Sequence, residues 1–182
     1  KNNFNALKAE VDSLHYLRNS GFLLFPNVIF SEDELIILDI STSDFHDLKR
    51  DDLFVSYNSN KSLDLVKKIA QVSFMPLTIG GRVRDLKYFG QLLSAGADKI
   101  SINSIGLENP SFISDAAEKF GSQCVVASID YKIKNKKRMV YIKHGTKPIN
   151  IELEEWVKEV CKLNVGEILI NAIDRDGTAI GY

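Results

Sequence analysis

The most informative pattern in this sequence is the alternation of short apolar runs with segments whose apolar residues recur every three or four positions. The apolar runs predict five buried strands, at residues 34–40, 75–81, 98–103, 124–130 and 166–173. The periodic segments predict amphipathic helices, at residues 62–72, 85–95, 109–121 and 151–164. Strands and helices in this order favour an α/β fold with a parallel sheet, either doubly wound or closed into a (β/α)₈ barrel.

Capping residues mark the predicted helix ends. Ser62 is expected to cap the first helix, and Gly96 to close the second. Pro110 lies in the first turn of the third helix and Gly121 just past its end, which is typical of these residues. Residues 138–147 fit neither period and are interpreted as a hairpin arm or an inserted loop.

Composition places the chain among ordinary globular proteins. Its 182 residues are enough for one domain with a sizeable core, and the net charge of −1 gives no global basic field to attract nucleic acid or a membrane surface. The apolar run at 21–30 is too short to span a membrane. We therefore expect a protein that binds neither nucleic acid nor membranes.

Cysteines and histidines indicate no metal or redox cofactor. Cys124 and Cys161 match no zinc or redox spacing and are predicted to be reduced core residues of a cytoplasmic protein. His15, His46 and His144 lack metal-ligand spacing and are interpreted as surface or loop residues. No cofactor is therefore expected.

Small and polar residues follow each predicted strand, at the edge where parallel α/β folds bind their ligands. Gly80 and Gly81 would let backbone N–H groups approach an anion, although a tight turn explains them equally well. Asn103 and Ser104 could donate further hydrogen bonds to the same phosphate, or form a turn or helix cap. Residues of this kind suit a polyhydroxylated, phosphorylated substrate.

Asp130 ends the apolar run of the fourth predicted strand, where a partly desolvated carboxylate suits proton transfer near neutral pH. A salt bridge to Lys132 or a helix cap is the structural alternative. The segment 176–178, Asp-Gly-Thr, could bind substrate hydroxyls or phosphate. It could equally form an Asp-Gly turn in which Arg175 pairs with Asp174.

The opposite strand ends carry a second group of charged residues. Glu34, Lys99 and Glu167 open three of the strands, and in a barrel they would converge at the amino-terminal mouth. A stabilising salt-bridge layer is the usual meaning of charges at this face and is the alternative to a functional ring. The segments 33–44 and 166–177 also resemble each other, as expected of a barrel built from two similar halves.

Several long motifs establish a resemblance over about residues 62–182. In chain order they are PLTIGG, AGADKISIN, ENPSFI, FGSQCVVASIDYK and GEILINAIDRDGTAIGY. Together they resemble the cyclase subunits of imidazole glycerol phosphate synthase, HisF, with a fair similarity over residues 33–43 as well. The resemblance implies a (β/α)₈ TIM barrel of the ribulose-phosphate-binding type. Residues 1–182 would form one partial barrel domain that holds strands two to six and lacks the first strand and the last two βα units.

The resemblance also implies an activity. In this family ammonia is delivered by a glutaminase (HisH-like) subunit docked at the amino-terminal face of the barrel, and it attacks a bisphosphorylated ribulosyl intermediate of histidine biosynthesis. Ring closure gives imidazole glycerol phosphate and releases aminoimidazole carboxamide ribotide, with two aspartates as acid and base. The alternatives are a HisF-like paralogue of acetamidino-sugar biosynthesis and a non-catalytic barrel that only binds a glutaminase.

Roles for individual residues follow from the same resemblance. Asp130 would be one catalytic aspartate, whereas the other would belong to the first strand of the barrel. The residues implied in substrate and phosphate binding are Gly80, Gly81, Arg82, Asn103, Ser104, Asn171, Asp176, Gly177 and Thr178. The implied ammonia gate and glutaminase interface consist of Glu34, Lys99 and Glu167, and of Asp98 and Gln123, respectively. Arg82 replaces a third glycine of the family, so its side chain could crowd the phosphate or add a positive contact.

Overall fold

Eight strands form one sheet in the computed structural model, which describes residues 27–30, 34–38, 59–143 and 145–175. The strands are β1 (Asn27–Phe30), β2 (Leu35–Leu38), β3 (Leu77–Gly80), β4 (Lys99–Ile102), β5 (Val125–Lys134), β6 (Lys137–Ile142), β7 (Lys147–Glu152) and β8 (Glu167–Ala172). The helices of this part of the chain are α1 (Ser59–Ala70), α2 (Leu86–Ser94), α3 (Ser104–Glu108), α4 (Ser111–Phe120) and α5 (Leu153–Cys161).

Five of these strands run parallel to one another, in the order β2, β3, β4, β5 and β8. They are the five strands that the apolar runs predict, so the parallel sheet of an α/β fold is confirmed. β1 pairs with β2 in the antiparallel sense, and β6 and β7 extend from β5 as antiparallel strands. Residues 138–147 therefore belong to a hairpin, which is the first of the two interpretations made from sequence.

The helices pack on one face of the parallel strands. Every second side chain along each strand points to this face, and these side chains are apolar. Ile79, Ile100 and Ile129 represent this face, and each is no more than 5% exposed. Phe89 of α2 and Trp156 of α5 belong to the same buried cluster. Burial of apolar area in this layer is the main source of stability, at roughly 25 cal/mol per Å².

The side chains that alternate with this apolar set face the other side of the sheet, where small and polar residues lie among apolar ones such as Ile36 and Val126. Thr78, Ser101 and Ser128 are all buried there. Gly80 has no room for a side chain, because an added Cβ would lie 2.6 Å from Leu38 Cδ2 and 2.8 Å from Ser101 Cβ. The candidate site residues continue this second face at both ends of the strands.

The predicted ends of α2 and the predicted carboxyl-terminal end of α4 are confirmed. Asp85 caps α2 through its side chain, which accepts a backbone hydrogen bond of 2.7 Å. Gly96 follows α2 with a φ of +113°, and a Cβ there would lie 2.5 Å from Ala70 Cβ, so only glycine fits. Pro110 precedes the first residue of α4, and Gly121 follows its last residue.

Three predicted helix starts are wrong. α4 begins at Ser111 and not at residue 109, so Pro110 precedes the helix and does not lie in its first turn. α1 begins at Ser59, so Ser62 lies inside the helix and does not cap it. The added residues at its start are polar and carry no apolar period that would reveal them. α5 begins at Leu153 and not at residue 151, because β7 continues to Glu152, where it pairs with β6. Tertiary pairing overrides the helical period at this boundary.

The cysteine prediction is only partly correct. Both thiols are free, as expected, but Cys161 is exposed at the end of α5 and Cys124 is half-buried, so neither is a core residue. The apolar neighbours of Cys161 belong to the opposite side of an amphipathic helix. His15, His46 and His144 lie outside the described residues. None of the described helices is both long and apolar enough to cross a membrane.

Candidate active site at the carboxyl ends of the strands

Asp130 lies between two asparagine side chains that come from the neighbouring parallel strands. Asn103 Nδ2 donates a hydrogen bond of 2.9 Å to Asp130 Oδ2, and Asn171 Nδ2 donates one of 3.2 Å to Asp130 Oδ1. Asn103 follows β4, and Asn171 pairs with Asp130 in the register of β5 and β8. Three residues singled out in the sequence are therefore in direct contact, and the carboxylate is held in a fixed orientation.

The side-chain oxygen of Asn103, Oδ1, is a second candidate contact for a ligand. A carboxylate only accepts hydrogen bonds, so the contact with Asp130 assigns the nitrogen of this amide to that side. Asn103 Oδ1 then points away, is buried, and has no hydrogen-bond partner among the described residues. A buried acceptor without a donor is costly, so this oxygen is a natural contact for a ligand N–H or O–H.

Lys132, which was considered as a salt-bridge partner of Asp130, contacts Gly145 and Tyr141. Lys132 Nζ donates to the carbonyl oxygen of Gly145 at 3.0 Å and lies 5.0 Å from the centre of the Tyr141 ring. Asp174, for which a pairing with Arg175 was the structural alternative, accepts a hydrogen bond of 3.2 Å from the N–H of Ile133. These contacts connect β5 to the segments that follow β6 and β8, next to the site.

The turn after β3 has the backbone conformation of a glycine-rich loop. Gly81 has a φ of +89° and Arg82 a φ of +53°, so both lie in the left-handed region. Arg82 thus keeps a glycine-like conformation at the position where the resemblance implies a third glycine, at a cost of about 1 kcal/mol. Gly80 pairs with Ser101 of β4, which places this turn beside the segment that follows β4.

Asn103 and Ser104 lead into the short helix α3, which the sequence analysis did not predict. Asn103 occupies the position before α3 but makes no side-chain capping hydrogen bond, because its amide is bound to Asp130. Ser104 Oγ accepts a hydrogen bond of 3.3 Å from the N–H of Lys143, which follows β6. Asp176, Gly177 and Thr178, the remaining predicted ligand-binding residues, lie outside the described residues.

At the opposite ends of the strands, Glu34, Lys99 and Glu167 converge as predicted. Lys99 Nζ lies 2.5 Å from Glu167 Oε1 and 3.4 Å from Glu34 Oε1. The pKa of Lys99 is raised above its ordinary value, chiefly by the hydrogen bond to Glu167 and also by the charge of Glu34, while burial opposes the rise. Thr78 Oγ1 also donates to Glu34, a contact that sequence reasoning missed although Thr78 is the polar residue of an apolar strand.

Three further residues lie in the loops that lead into the strands at this end. Asp98 Oδ2 accepts a hydrogen bond of 2.8 Å from the N–H of Leu77 and so secures the start of β3. Gln123 is exposed in the turn before β5. Phe74 is 97% exposed, which is unusual for so large an apolar side chain and was not singled out in the sequence.

Comparisons with known proteins agree with these observations. Residues 33–182 match the family described as "Histidine biosynthesis protein". The imidazole glycerol phosphate synthase subunit HisF of Hydrogenobaculum sp. is 41% identical over 170 residues, which are 91% of this chain and 63% of the relative. The subunits of the same name from Streptococcus mutans and Exiguobacterium sp. are 42% and 39% identical and cover 82% of the chain.

The matched regions are 55% of the Streptococcus protein and 54% of the Exiguobacterium protein, so the chain spans about half to two thirds of the length of these relatives. The match nevertheless covers all five parallel strands, the Asp130 site, and the Glu34, Lys99 and Glu167 cluster at the opposite strand ends. The chain therefore belongs to the histidine biosynthesis protein family, with HisF subunits among its relatives.

Proposed function

We propose that this protein is the cyclase subunit of imidazole glycerol phosphate synthase and that its catalytic centre lies at Asp130. The observation that carries the proposal is the position of this carboxylate between the amides of Asn103 and Asn171, at the ends of three adjacent strands. In the proposed reaction, ammonia attacks a bisphosphorylated ribulosyl intermediate of histidine biosynthesis. Ring closure yields imidazole glycerol phosphate and releases aminoimidazole carboxamide ribotide.

Asp130 is the proposed proton acceptor and donor of the ring-closing steps. Its two amide contacts fix the carboxylate before the substrate arrives, so little reorganisation is needed when a proton moves. Asn103 Oδ1, which is buried beside this carboxylate, would accept a hydrogen bond from a nitrogen or hydroxyl of the substrate. The same asparagine would thus orient both the substrate and the catalytic group.

One phosphate group of the substrate would bind at the turn after β3 and the start of α3. Gly81 and Arg82 supply backbone N–H groups in a left-handed turn, a conformation that aims neighbouring amides into a common concavity. Ser104 would add its hydroxyl, and Arg82 a positive charge. The second phosphate would bind towards Asn171 and the segment 176–178, which completes the set of residues implied by the sequence.

The fold proposed for the protein is a (β/α)₈ barrel formed by a single domain. β2, β3, β4, β5 and β8 would be its strands two to six, which is supported by their parallel order and by the family match. In such a barrel the small and polar side chains of Thr78, Ser101 and Ser128 would face the interior. They would lie between Asp130 at one end and the cluster of Glu34, Lys99 and Glu167 at the other.

Ammonia would enter at the amino-terminal ends of the strands, from a glutaminase subunit docked there. Lys99 and its two glutamates would form the gate, and movement of the Lys99 ammonium away from Glu167 would open a path towards Asp130. Asp98 and Gln123 are proposed interface residues, together with Phe74. A side chain that is 97% exposed provides the apolar anchor that protein interfaces commonly use.

A second candidate is a HisF-like subunit that supplies ammonia for acetamidino-sugar biosynthesis. Arg82 is the observation that favours it, because a long cationic side chain stands in the phosphate-binding turn where a glycine is expected. Both candidates need ammonia transfer and proton transfer at Asp130, and they differ in the substrate.

Turnover with a defined substrate tests the proposal. The protein, expressed from its complete gene, is assayed with an ammonium salt and the bisphosphorylated ribulosyl intermediate by following the loss of substrate absorbance. Asp130→Asn should retain the fold and reduce kcat by about 10²- to 10⁴-fold, which is the usual contribution of a general acid or base. Asp115→Asn, on the exposed side of α4, is the matched control and should keep full activity.

Absence of turnover by the folded wild-type protein would reject the histidine-pathway assignment and favour the sugar-pathway subunit or a non-catalytic barrel. Full activity of Asp130→Asn would remove Asp130 from the mechanism while leaving the assignment intact.

A further inference from the structure

The hairpin that extends from β5 carries an unusual concentration of positive charge. Residues 131–147 contain seven lysine and arginine residues and no aspartate or glutamate, although the whole chain has 23 basic and 24 acidic residues. The basic residues of this segment, called the basic hairpin below, are Lys132, Lys134, Lys136, Lys137, Arg138, Lys143 and Lys147. The near-neutral net charge of the protein therefore conceals a strongly cationic segment.

One face of the basic hairpin is continuous with the site. Residues paired across an antiparallel ladder project to the same side, and Asp130 pairs with Tyr141, while Lys134 pairs with Lys137. Since side chains alternate along a strand, Asp130, Lys132 and Lys134 share this side as well. At about 3.3 Å per residue, Lys134 lies roughly 13 Å along β5 from Asp130.

The opposite face of the hairpin is apolar near its base, where it belongs to the core, and carries the exposed Ile133 and Arg138 towards the tip. Tyr131, Val140 and Ile142 are each no more than 5% exposed. Val140 and Tyr131 pack in the same cluster as Trp156 and Leu153 of α5. One side of the hairpin thus packs on the core near its base, and Lys132, Lys134 and Lys137 lie on the other side, which bears Asp130.

The base of the basic hairpin contacts one of the proposed substrate-binding residues, Ser104. The N–H of Lys143 donates to Ser104 Oγ at 3.3 Å, and Lys132 Nζ donates to the carbonyl of Gly145 at 3.0 Å. At the tip, Asn135 and Lys136 have φ values of +52° and +65°, which is the conformation of a tight two-residue hairpin turn. The described residues of this segment therefore have a defined geometry at the carboxyl end of β5.

Only part of the positive charge is compensated within the fold. Lys137 binds Glu152 and Arg138 binds Glu154, but Lys134, Lys136 and Lys143 form no ion pair with any described residue, and all three are exposed. Lys134 also stands directly opposite Lys137, and like charges in that position destabilise a sheet. Charge placed where it opposes folding suggests a use in binding.

We propose that the basic hairpin is a capture surface for the phosphate groups of the substrate, with Lys134 and Lys136 as the residues that attract the anion towards Asp130 and Ser104. The inference rests on the proposed function in one respect, since it takes the substrate to be a sugar that bears two phosphates. Exposed cations beside a site raise the rate of encounter with an anion and make binding depend on ionic strength.

The test compares two double variants that remove the same charge. Lys134→Gln/Lys136→Gln changes the hairpin, and Lys67→Gln/Lys68→Gln changes the exposed side of α1. Binding of ribulose bisphosphate, ribulose monophosphate and ribulose is measured by isothermal titration calorimetry at low and high ionic strength. We expect the hairpin variant to bind the bisphosphate about fivefold more weakly at low ionic strength, with a smaller loss at high ionic strength and an unchanged Tm.

The control variant should bind the bisphosphate as the wild type does, and neutral ribulose should not distinguish the three proteins. Equal bisphosphate affinity of the hairpin variant and the wild type would overturn the proposal, as would a wild type that binds no sugar phosphate. A short RNA is tested as a further ligand. If the wild type binds it and the hairpin variant loses that binding while its affinity for ribulose bisphosphate is unchanged, the proposal is overturned in favour of a nucleic-acid partner. Because the readout is equilibrium binding, the hairpin can be confirmed even if the turnover assay rejects the cyclase reaction.

Discussion

Lys99 and Glu167, which are 68 residues apart in the chain, are joined by a hydrogen-bonded ion pair of 2.5 Å between Nζ and Oε1. The pair links β4 to β8 across the intervening β5, and Glu34 adds a second carboxylate to the same ammonium at 3.4 Å. Only 22% of the Lys99 side chain is exposed, so solvent screens this group less than an ordinary surface pair.

This arrangement predicts how stability changes at alkaline pH. The pKa of Lys99 in the folded protein is raised above 10.5, chiefly by its hydrogen bond to Glu167. The stabilising contribution of a lysine with a raised pKa is complete below the unfolded value and is lost as pH rises through the folded value. We therefore expect no contribution of Lys99 to the pH dependence near neutrality, and a fall in the free energy of unfolding above about pH 10.5.

Urea unfolding at a series of alkaline pH values checks this prediction. Lys99→Met should reduce the alkaline loss without abolishing it, because Lys137 also has a raised pKa, owing mainly to its hydrogen bond with Glu152. Lys119→Met, on the exposed side of α4, is the control and should keep the wild-type profile. An alkaline profile of Lys99→Met identical to that of the wild type would show that the cluster does not stabilise the fold.

The proximity of Glu34, Lys99 and Glu167 could be predicted from sequence because it depends only on which residues begin parallel strands. Strand starts are readable from apolar runs, and the starts of parallel strands meet at the same edge of a sheet. The same reasoning placed Asp130, Asn103 and Asn171 at one edge. It could not give their hydrogen bonds, because these depend on the register between strands and on side-chain torsions.

The hairpin was harder to predict for a physical reason. Residues 138–147 were interpreted as a hairpin arm or loop, but β7 was assigned in part to the helix that follows it. Short antiparallel strands draw their stability from their partners, so their own sequence is a weak signal. The contact between Lys143 and Ser104, which joins the hairpin to α3, has no counterpart in any local pattern.

Arg82 gives a prediction about backbone strain. Its φ of +53° favours glycine, whereas Arg84, two residues further on, has an ordinary negative φ. Comparing glycine with alanine at each position removes the side chain of arginine in both cases. At position 82, glycine should be more stable than alanine by about 1 kcal/mol, and at position 84 it should be less stable by about 0.5–1 kcal/mol.

Chemical denaturation of the four single variants, Arg82→Gly, Arg82→Ala, Arg84→Gly and Arg84→Ala, gives both differences. If glycine and alanine at position 82 are equally stable, the left-handed conformation of the turn is wrong. The affinity of the same variants for ribulose bisphosphate tests the role of the Arg82 side chain. Tighter binding by Arg82→Gly would mean that the arginine crowds the phosphate. Weaker binding would mean that it contributes a positive contact.

Gly80 gives the sharpest prediction about packing next to the site. A Cβ on this residue would lie 2.6 Å from Leu38 Cδ2 and 2.8 Å from Ser101 Cβ, distances at which the sheet must shift. Gly80→Ala should therefore destabilise the protein by about 1–3 kcal/mol, as overpacking of a well-packed interior usually does. Because Gly80 leads into the turn proposed to bind phosphate, the affinity for ribulose bisphosphate should fall together with stability.

A double-mutant cycle with Leu38→Ala separates the two contacts of Gly80. Leu38→Ala removes the nearer atom, so the cost of Gly80→Ala should be smaller in that background than in the wild type, by about 0.5–1.5 kcal/mol. The cost that persists would be due to Ser101, whose Cβ and backbone oxygen both lie close to position 80. An equal cost of Gly80→Ala in both backgrounds would mean that Leu38 does not confine this position and that β2 approaches β3 less closely than the structure indicates.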